Sequence, residues 1–156
     1  MNRRVFGPGL ALAALVLWAT DTQGLFVCAL FAAAVHELGH LAAFFLLGAR
    51  LSGFSFDGGG LLLRYERALS YRGDAMAALS GPAANFLTAI LCAHLAQAGL
   101  LPERAYLFSG AGIALGLYNL LPALPLDGAR ALYALLCLIV NIRNITVKIP
   151  PMSSNR

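Results

Sequence analysis

Residues 24–47 read GLFVCALFAAAVHELGHLAAFFLL, an apolar stretch that contains two histidines and one glutamate. A stretch of this length can cross the hydrocarbon core of a bilayer as an α-helix, which needs about 20 residues. Further apolar segments lie at 5–20, 75–98, 105–121 and 128–142, and most of them are separated by polar or proline-containing breaks. We therefore predict an all-α polytopic membrane protein with four to five transmembrane segments.

The overall composition indicates the same class. Hydrophobic residues make up 60% of the chain and charged residues only 12%, whereas about 25% of the residues in a soluble domain are charged. The net charge of +4 does not require a nucleic-acid partner, because basic residues in a membrane protein mainly mark the cytoplasmic side. The length of 156 residues predicts a single domain, residues 1–156. The three cysteines are far apart in apolar runs, so we expect no disulfide framework.

The segment 5–20 follows two arginines and has two interpretations. It resembles the apolar region of a cleaved signal peptide, but Trp18 near its end is a typical interfacial anchor. The sequence Ala19-Thr20-Asp21 is also a poor cleavage site. We predict a retained first transmembrane segment.

Between the second and third apolar segments lies a more polar region, residues 49–74, with four arginines. Short β-prone runs at 51–56 and 61–65 flank a glycine-rich turn at 57–60. This pattern predicts a short β-hairpin. The positive-inside rule places this hairpin and the N-terminus in the cytoplasm, and the loop 20–24, which lacks lysine and arginine, outside. Basic residues after position 142 leave it open whether 128–142 crosses the membrane.

The motif His36-Glu37-Leu38-Gly39-His40 is the strongest functional signal. Histidines four residues apart share one face of a helix, so both imidazoles can bind one metal ion, and Glu37 lies beside them as a general base. Ionisable residues inside a membrane are costly, which favours a functional role. The alternative is that these side chains only form hydrogen bonds between helices.

A catalytic zinc site needs a third protein ligand, and Asp127 is the best candidate. Pro122 and Pro125 prevent a regular helix just before it, and a broken helix at membrane depth typically lines a site. The expected depth of the histidines, on the cytoplasmic side of the midplane, agrees with this pairing. An ordinary cytoplasmic turn with a capping aspartate is the alternative. His94 lies near the outer end of its segment and is not expected to be a ligand.

A third motif, Ser80-Gly81-Pro82-Ala83-Ala84-Asn85, falls inside the segment 75–98. Its glycine and proline predict close helix approach and a local break. Asn85 places a polar amide in an apolar run, where it can face the same site. Helix packing by small residues alone would also explain the motif.

The motifs at residues 36–40 and 80–85, followed by the stretch Asn119-Leu-Leu-Pro-x-x-Pro-Leu-Asp127-Gly, resemble the three-part signature of the site-two protease family. Its members are zinc metalloproteases that cleave transmembrane substrates within the membrane. The match covers residues 24–135, and the order and spacing are similar to those of its compact bacterial branch, which includes a sporulation protease. The resemblance implies that His36, His40 and Asp127 are zinc ligands and that Glu37 is the general base. Asn85 and Asn119 correspond to motif asparagines around the active site. We expect no PDZ or CBS domain after the core.

The resemblance implies an intramembrane endopeptidase with one zinc per chain, in a bacterial plasma membrane with its active site toward the cytoplasm. The expected substrates are membrane-tethered proteins, such as a sigma-factor precursor or an anti-sigma factor. Gly81, Pro82 and Pro122 are expected to support the site. A homo-oligomer or membrane regulatory partners are compatible with this function. The alternatives are a catalytically inactive scaffold that binds membrane helices and a membrane metal transporter.

Overall fold

The computed structural model describes residues 15–16, 18–49, 51–57, 60–65 and 69–140. Residues 15–16 and 18–20 are helical. The elements that follow are α1 (Leu25–Leu46), β1 (Leu51–Asp57), β2 (Gly60–Tyr65), α2 (Tyr71–Gln97), α3 (Ala105–Asn119) and α4 (Asp127–Ile139). Most of the predicted segment 5–20, the turn at 58–59 and the end of the segment 128–142 lie outside the described residues.

Helix α1 has defined signals at both ends. The two carboxylate oxygens of Asp21 accept hydrogen bonds from the backbone N–H groups of Leu25 and Phe26, at 2.9 and 2.7 Å. These bonds satisfy N–H groups that have no partner within the helix. At the other end, Gly48 adopts a left-handed backbone conformation with φ of 67°, which glycine tolerates best and which commonly ends helices. The 22 residues between them span about 33 Å.

Helix α2 runs without interruption through Pro82, so the predicted local break at this motif is wrong. Proline removes only the bond to the carbonyl of Ala78, four residues earlier. The Pro82 ring is fully buried, and neighbouring helices commonly allow a membrane helix to tolerate proline. The hydroxyl of Ser70 accepts from the backbone N–H of Gly73 at 3.2 Å and caps the start of α2.

Two helices are long and apolar enough to cross a membrane among the residues described, α1 with 22 residues and α2 with 27. Their outer surfaces carry large apolar side chains such as Phe45, which is 83% exposed, and Leu87, which is 70% exposed. A bilayer solvates such surfaces, and the chain is therefore a membrane protein. Helices α3 and α4 have 15 and 13 residues, fewer than the approximately 20 that a span needs. The count of four to five spans stays a prediction.

Helix α2 is the centre of the bundle and packs against α1, α3 and α4, while α1 also contacts α3. The buried core consists mainly of alanine, namely Ala32, Ala75, Ala77, Ala78, Ala89, Ala131 and Ala134. Small side chains let helix backbones approach closely, which is how helices in membranes gain packing energy. The backbones of α1 and α2 approach closely at Gly39, where an added methyl group would stand 2.6 Å from the Ser80 carbonyl oxygen.

Strands β1 and β2 pair antiparallel, with Phe54 opposite Leu63 and Asp57 opposite Gly60. The pairing is irregular between Leu51 and Gly53. The strands lie at the two β-prone runs of the sequence, between the second and third apolar segments. Their position on the cytoplasmic side stays a prediction.

The close approach at Gly39 predicts that Gly39→Ala destabilises the protein. The added methyl group would also meet the Ala84 side chain at 2.7 Å, and overpacking of this kind costs about 1–3 kcal/mol. The control is Gly110→Ala on α3, because a methyl group there meets nothing within 4 Å and alanine favours helix by about 1 kcal/mol. Thermal unfolding of both variants in detergent checks this. Equal stability of Gly39→Ala and the parent protein would contradict the packing described.

Candidate metal centre

Three ligand-type side chains converge between α1 and the first residue of α4. The Nε2 atoms of His36 and His40 lie 2.9 and 3.1 Å from Oδ2 of Asp127, and 3.1 Å from each other. All three residues are buried, with exposures of 5, 8 and 8%. The structure therefore brings together the three residues that the sequence predicts as metal ligands.

The local sequence explains how the aspartate reaches the histidines. Pro122 and Pro125 lie in the non-helical stretch between α3 and α4, as the sequence predicts. This stretch turns tightly, because a methyl group at Gly128 would overlap the carbonyl of Leu120. Asp127 is consequently held at the first turn of α4, beside the middle of α1.

A second contact holds the start of α4 against α2. The Nη2 atom of Arg130 donates to Oδ1 of Asp74 at 3.4 Å. Both side chains are about 40% exposed, at 40 and 42%, and an exposed pair of this type contributes little to stability. The pair joins α4 to α2 outside the cluster of ligand candidates.

A backbone carbonyl fixes the chemical form of His40. Its Nδ1 lies 2.8 Å from the carbonyl oxygen of Ala77, which can only accept a hydrogen bond, so Nδ1 carries the proton. In the neutral imidazole the lone pair is then on Nε2, the atom that faces His36 and Asp127. Metal-binding histidines typically have this arrangement.

Gly81 makes room for both imidazoles. A methyl group at this position would overlap Nε2 of His40 and stand 2.8 Å from Nε2 of His36. Any larger residue would therefore displace the rings from their positions. The predicted supporting role of Gly81 has a direct steric basis in this contact.

The donor set fits a zinc ion. Two neutral imidazoles and one carboxylate are a typical ligand set for catalytic zinc, with a fourth position left for other groups. Tetrahedral zinc with bonds of about 2.0–2.1 Å separates its ligand atoms by about 3.3 Å. The observed separations of 2.9–3.1 Å need to open by only a few tenths of an ångström. The residues present can therefore hold one metal ion.

Glu37 differs from the three ligand candidates in its environment. It is exposed, on the edge of α1 next to His36, and it is the only Asp, Glu, Lys or Arg in that helix. Contact between an ionised carboxylate and lipid tails is costly. We infer that water reaches the side of α1 that carries Glu37.

The other predicted site residues have different outcomes. Asn85 is fully buried, and its Nδ2 lies 3.2 Å from Nδ1 of His36. Asn119 donates to the carbonyl of Leu115 in its own helix, at 3.0 Å. Pro82 is fully buried in α2 and Pro122 is exposed. His94 is exposed near the end of α2, away from the centre.

Sequence reasoning missed the Ala77 carbonyl and Ser80 as part of this centre. The Ser80 hydroxyl donates to the same carbonyl at 2.7 Å and lies 3.4 Å from Nδ1 of His40. A backbone acceptor leaves no signal in the amino-acid sequence. Ser80 could have been noticed, because it stands within the Ser80–Asn85 motif.

No family model and no curated protein match this sequence. A solved structure does: the site-2 protease from Methanocaldococcus jannaschii superposes with a TM-score of 0.64 and 24% sequence identity. The chain has the fold of a site-2 protease. The match covers 82% of this chain and 64% of the Methanocaldococcus protein, so this chain spans less than two-thirds of that length.

The geometry of the centre predicts that Asp127→Ala removes metal binding. Two imidazoles alone leave a zinc ion without its third protein ligand and without a compensating negative charge. We expect one zinc per chain in the parent protein and a large loss in the variant, measured by elemental analysis of detergent-purified protein. Asp74→Ala is the matched control, because this carboxylate is close to the start of α4 but does not belong to the cluster. Unchanged zinc in Asp127→Ala would remove Asp127 from the ligand set.

Proposed function

We propose that the protein is an intramembrane zinc metalloprotease of the site-2 family, which hydrolyses peptide bonds in or near the transmembrane segments of membrane-tethered proteins. The buried cluster of His36, His40 and Asp127, with Glu37 exposed beside it, carries this proposal. The site-2 protease fold supports it, because the four residues occupy an apolar helical bundle of that type.

Each residue has a role in the proposed reaction. His36, His40 and Asp127 hold the zinc ion, which, when bound, polarises the scissile carbonyl and activates water for attack. Glu37 accepts a proton from the attacking water and later delivers it to the leaving amine. The exposure of Glu37 suits this role, since a general base needs access to water while the ligands do not.

The substrate must present an extended segment to these residues. A helix hides its carbonyl groups in hydrogen bonds, so the cleaved segment has to unwind first. Strands β1 and β2, or the non-helical stretch 120–126, offer backbone groups that can pair with an extended peptide. A sigma-factor precursor or an anti-sigma factor, as in sporulation, is the substrate class that the sequence resemblance implies.

Two other functions are less well supported. An inactive scaffold of the same fold has no need for Glu37 beside a complete ligand set, and this chain keeps all four residues. A metal transporter needs a series of polar groups that lead the ion through the membrane. In α1 the polar groups form a single cluster, and the helix has no other acidic or basic residue.

For orientation, we propose that the N-terminus and the start of α2 face the cytoplasm of a bacterial cell. The positive-inside rule supports this, because three of the four arginines of region 49–74 lie before α2 and Arg72 lies in its first turn. A homo-oligomer and regulatory membrane proteins are compatible partners.

Cysteine labelling checks the orientation. Helix α2 is about 40 Å long, so its two ends lie on opposite sides of the membrane. In a background in which the three native cysteines are replaced, we expect Arg72→Cys to be protected from an impermeant reagent in intact cells and Leu100→Cys to react. Both positions are exposed. The opposite result would reverse the topology and place the metal centre toward the outside.

Glu37→Gln is expected to abolish cleavage without loss of zinc. Glutamine has nearly the same size but cannot accept a proton at neutral pH, and general-base catalysis contributes about 10²–10⁴-fold. The measurement is cleavage of co-expressed candidate substrates beside the parent protein, with zinc content determined in the same preparations.

The control for this experiment is the metal content. A variant that loses both zinc and activity reports on the ligands and not on proton transfer. A variant that keeps its zinc and still cleaves at the parent rate would show that Glu37 is not the base, and a metal-binding scaffold would become the better explanation.

A further inference from the structure

Asn85 is the most deeply buried polar side chain next to the metal centre. It has no exposed surface, and its amide contacts Nδ1 of His36, on the side of the ring opposite Asp127. Its Oδ1 atom has no hydrogen-bond partner among the residues that the structure describes. A buried acceptor without a partner destabilises a folded protein, and such an atom calls for a functional explanation.

The chemistry of His36 depends on which end of the amide faces it. If Nδ2 donates to Nδ1, the ring proton of a neutral imidazole must be on Nε2, where no lone pair is left for a metal. A half-turn of the amide exchanges its oxygen and nitrogen with little movement. Oδ1 then accepts a hydrogen bond from Nδ1–H, and the lone pair on Nε2 faces the centre.

His40 provides the comparison within the same site. Its Nδ1 proton is held by the carbonyl oxygen of Ala77 at 2.8 Å, so its Nε2 is free to bind a metal. His36 contacts the same helix, α2, at 3.2 Å through a side-chain amide. Because the Nε2 atoms of both rings face the centre, both rings need their proton on Nδ1 to bind a metal there. Oδ1 of Asn85 would accept this proton from His36, as the Ala77 carbonyl does from His40.

We propose that Asn85 is a positioning residue for the metal centre: its side-chain oxygen accepts the Nδ1 proton of His36 and thereby turns the Nε2 lone pair toward the metal. This inference rests on the proposed zinc site and adds a role that metal spacing alone does not assign. It also explains the spacing within the motif, because Gly81 and Asn85 lie one helical turn apart on the same face of α2. Gly81 leaves space for the rings and Asn85 binds one of them.

Zinc affinity of the full-length protein in detergent tests the proposal, with competition by a chromophoric chelator as the measurement. Asn85→Ala and Asn85→Leu remove the acceptor, and loss of such a partner typically weakens metal binding about 10–100-fold. Asn85→Asp keeps an acceptor and cannot donate when ionised, so it is expected to bind zinc at least as tightly as the parent protein. Ser109→Ala is the matched control: it removes another buried hydrogen bond to α2, to the Ala89 carbonyl, and should leave affinity unchanged.

Two results would overturn the proposal. One is parent-like zinc affinity in Asn85→Ala, and the other is a loss in Asn85→Asp as large as that in Asn85→Ala. Failure of the parent protein to bind zinc would instead refute the proposed function, and this inference with it. Because the readout is metal binding, neither result depends on finding a substrate.

A measurement on the parent protein covers the case in which the variants do not fold. In isotopically labelled, zinc-loaded protein in lipid, solid-state NMR should correlate the Nδ1 proton of His36 with the side-chain carbonyl carbon of Asn85 more strongly than with its amide nitrogen. A stronger correlation with the amide nitrogen would contradict the proposed orientation.

Discussion

The contact between two imidazoles of α1 and the carboxylate of Asp127 is the constraint on which the rest of the site depends. All three groups are buried, and polar groups removed from water in an apolar bundle are costly unless each has a partner. The second ring nitrogen of each histidine therefore also has a partner. Nδ1 of His40 contacts the Ala77 carbonyl, and Nδ1 of His36 contacts the amide of Asn85. Both of these partners come from α2, so the most central helix of the bundle contributes to the site through hydrogen bonds to the ligand candidates.

The hydrogen bonds from α2 to the two histidines limit the size of the side chains on the face of α2 that packs against α1. The helix must approach α1 closely enough to bond both rings, yet leave space for them. Gly81 meets this need, since even a methyl group there would overlap His40. The alanines around it, such as Ala77 and Ala78, have no exposed surface and allow the backbones to pack closely. The motif at residues 80–85 thus both allows close helix packing and places a polar side chain at the site. The sequence alone presents these two roles as alternatives.

The sequence predicts well those features that depend on spacing within one helix or on composition. The extent of α1 and α2, the shared face of His36 and His40, and the helix break before Asp127 follow from such local rules. The structure differs from the sequence-based prediction where packing against neighbouring helices determines the local conformation. Pro82 does not interrupt α2, because the missing N–H affects one bond in a helix packed on three sides. Asn119 donates to the Leu115 carbonyl of its own helix, and its supporting role at the site stays a prediction.

The difference in exposure between the ligands and Glu37 has a consequence for how such a site can work in a bilayer. The ligand cluster is buried where α1 packs against α2 and the start of α4. Glu37 lies on the neighbouring edge of the same helix and is exposed. A carboxylate that faced lipid tails at this depth would be neutralised or would draw water toward itself. The helix that holds two of the ligand candidates therefore also carries the group that can draw water toward them. A site with a buried glutamate could still bind metal, but it would have no path for the water that a hydrolase consumes.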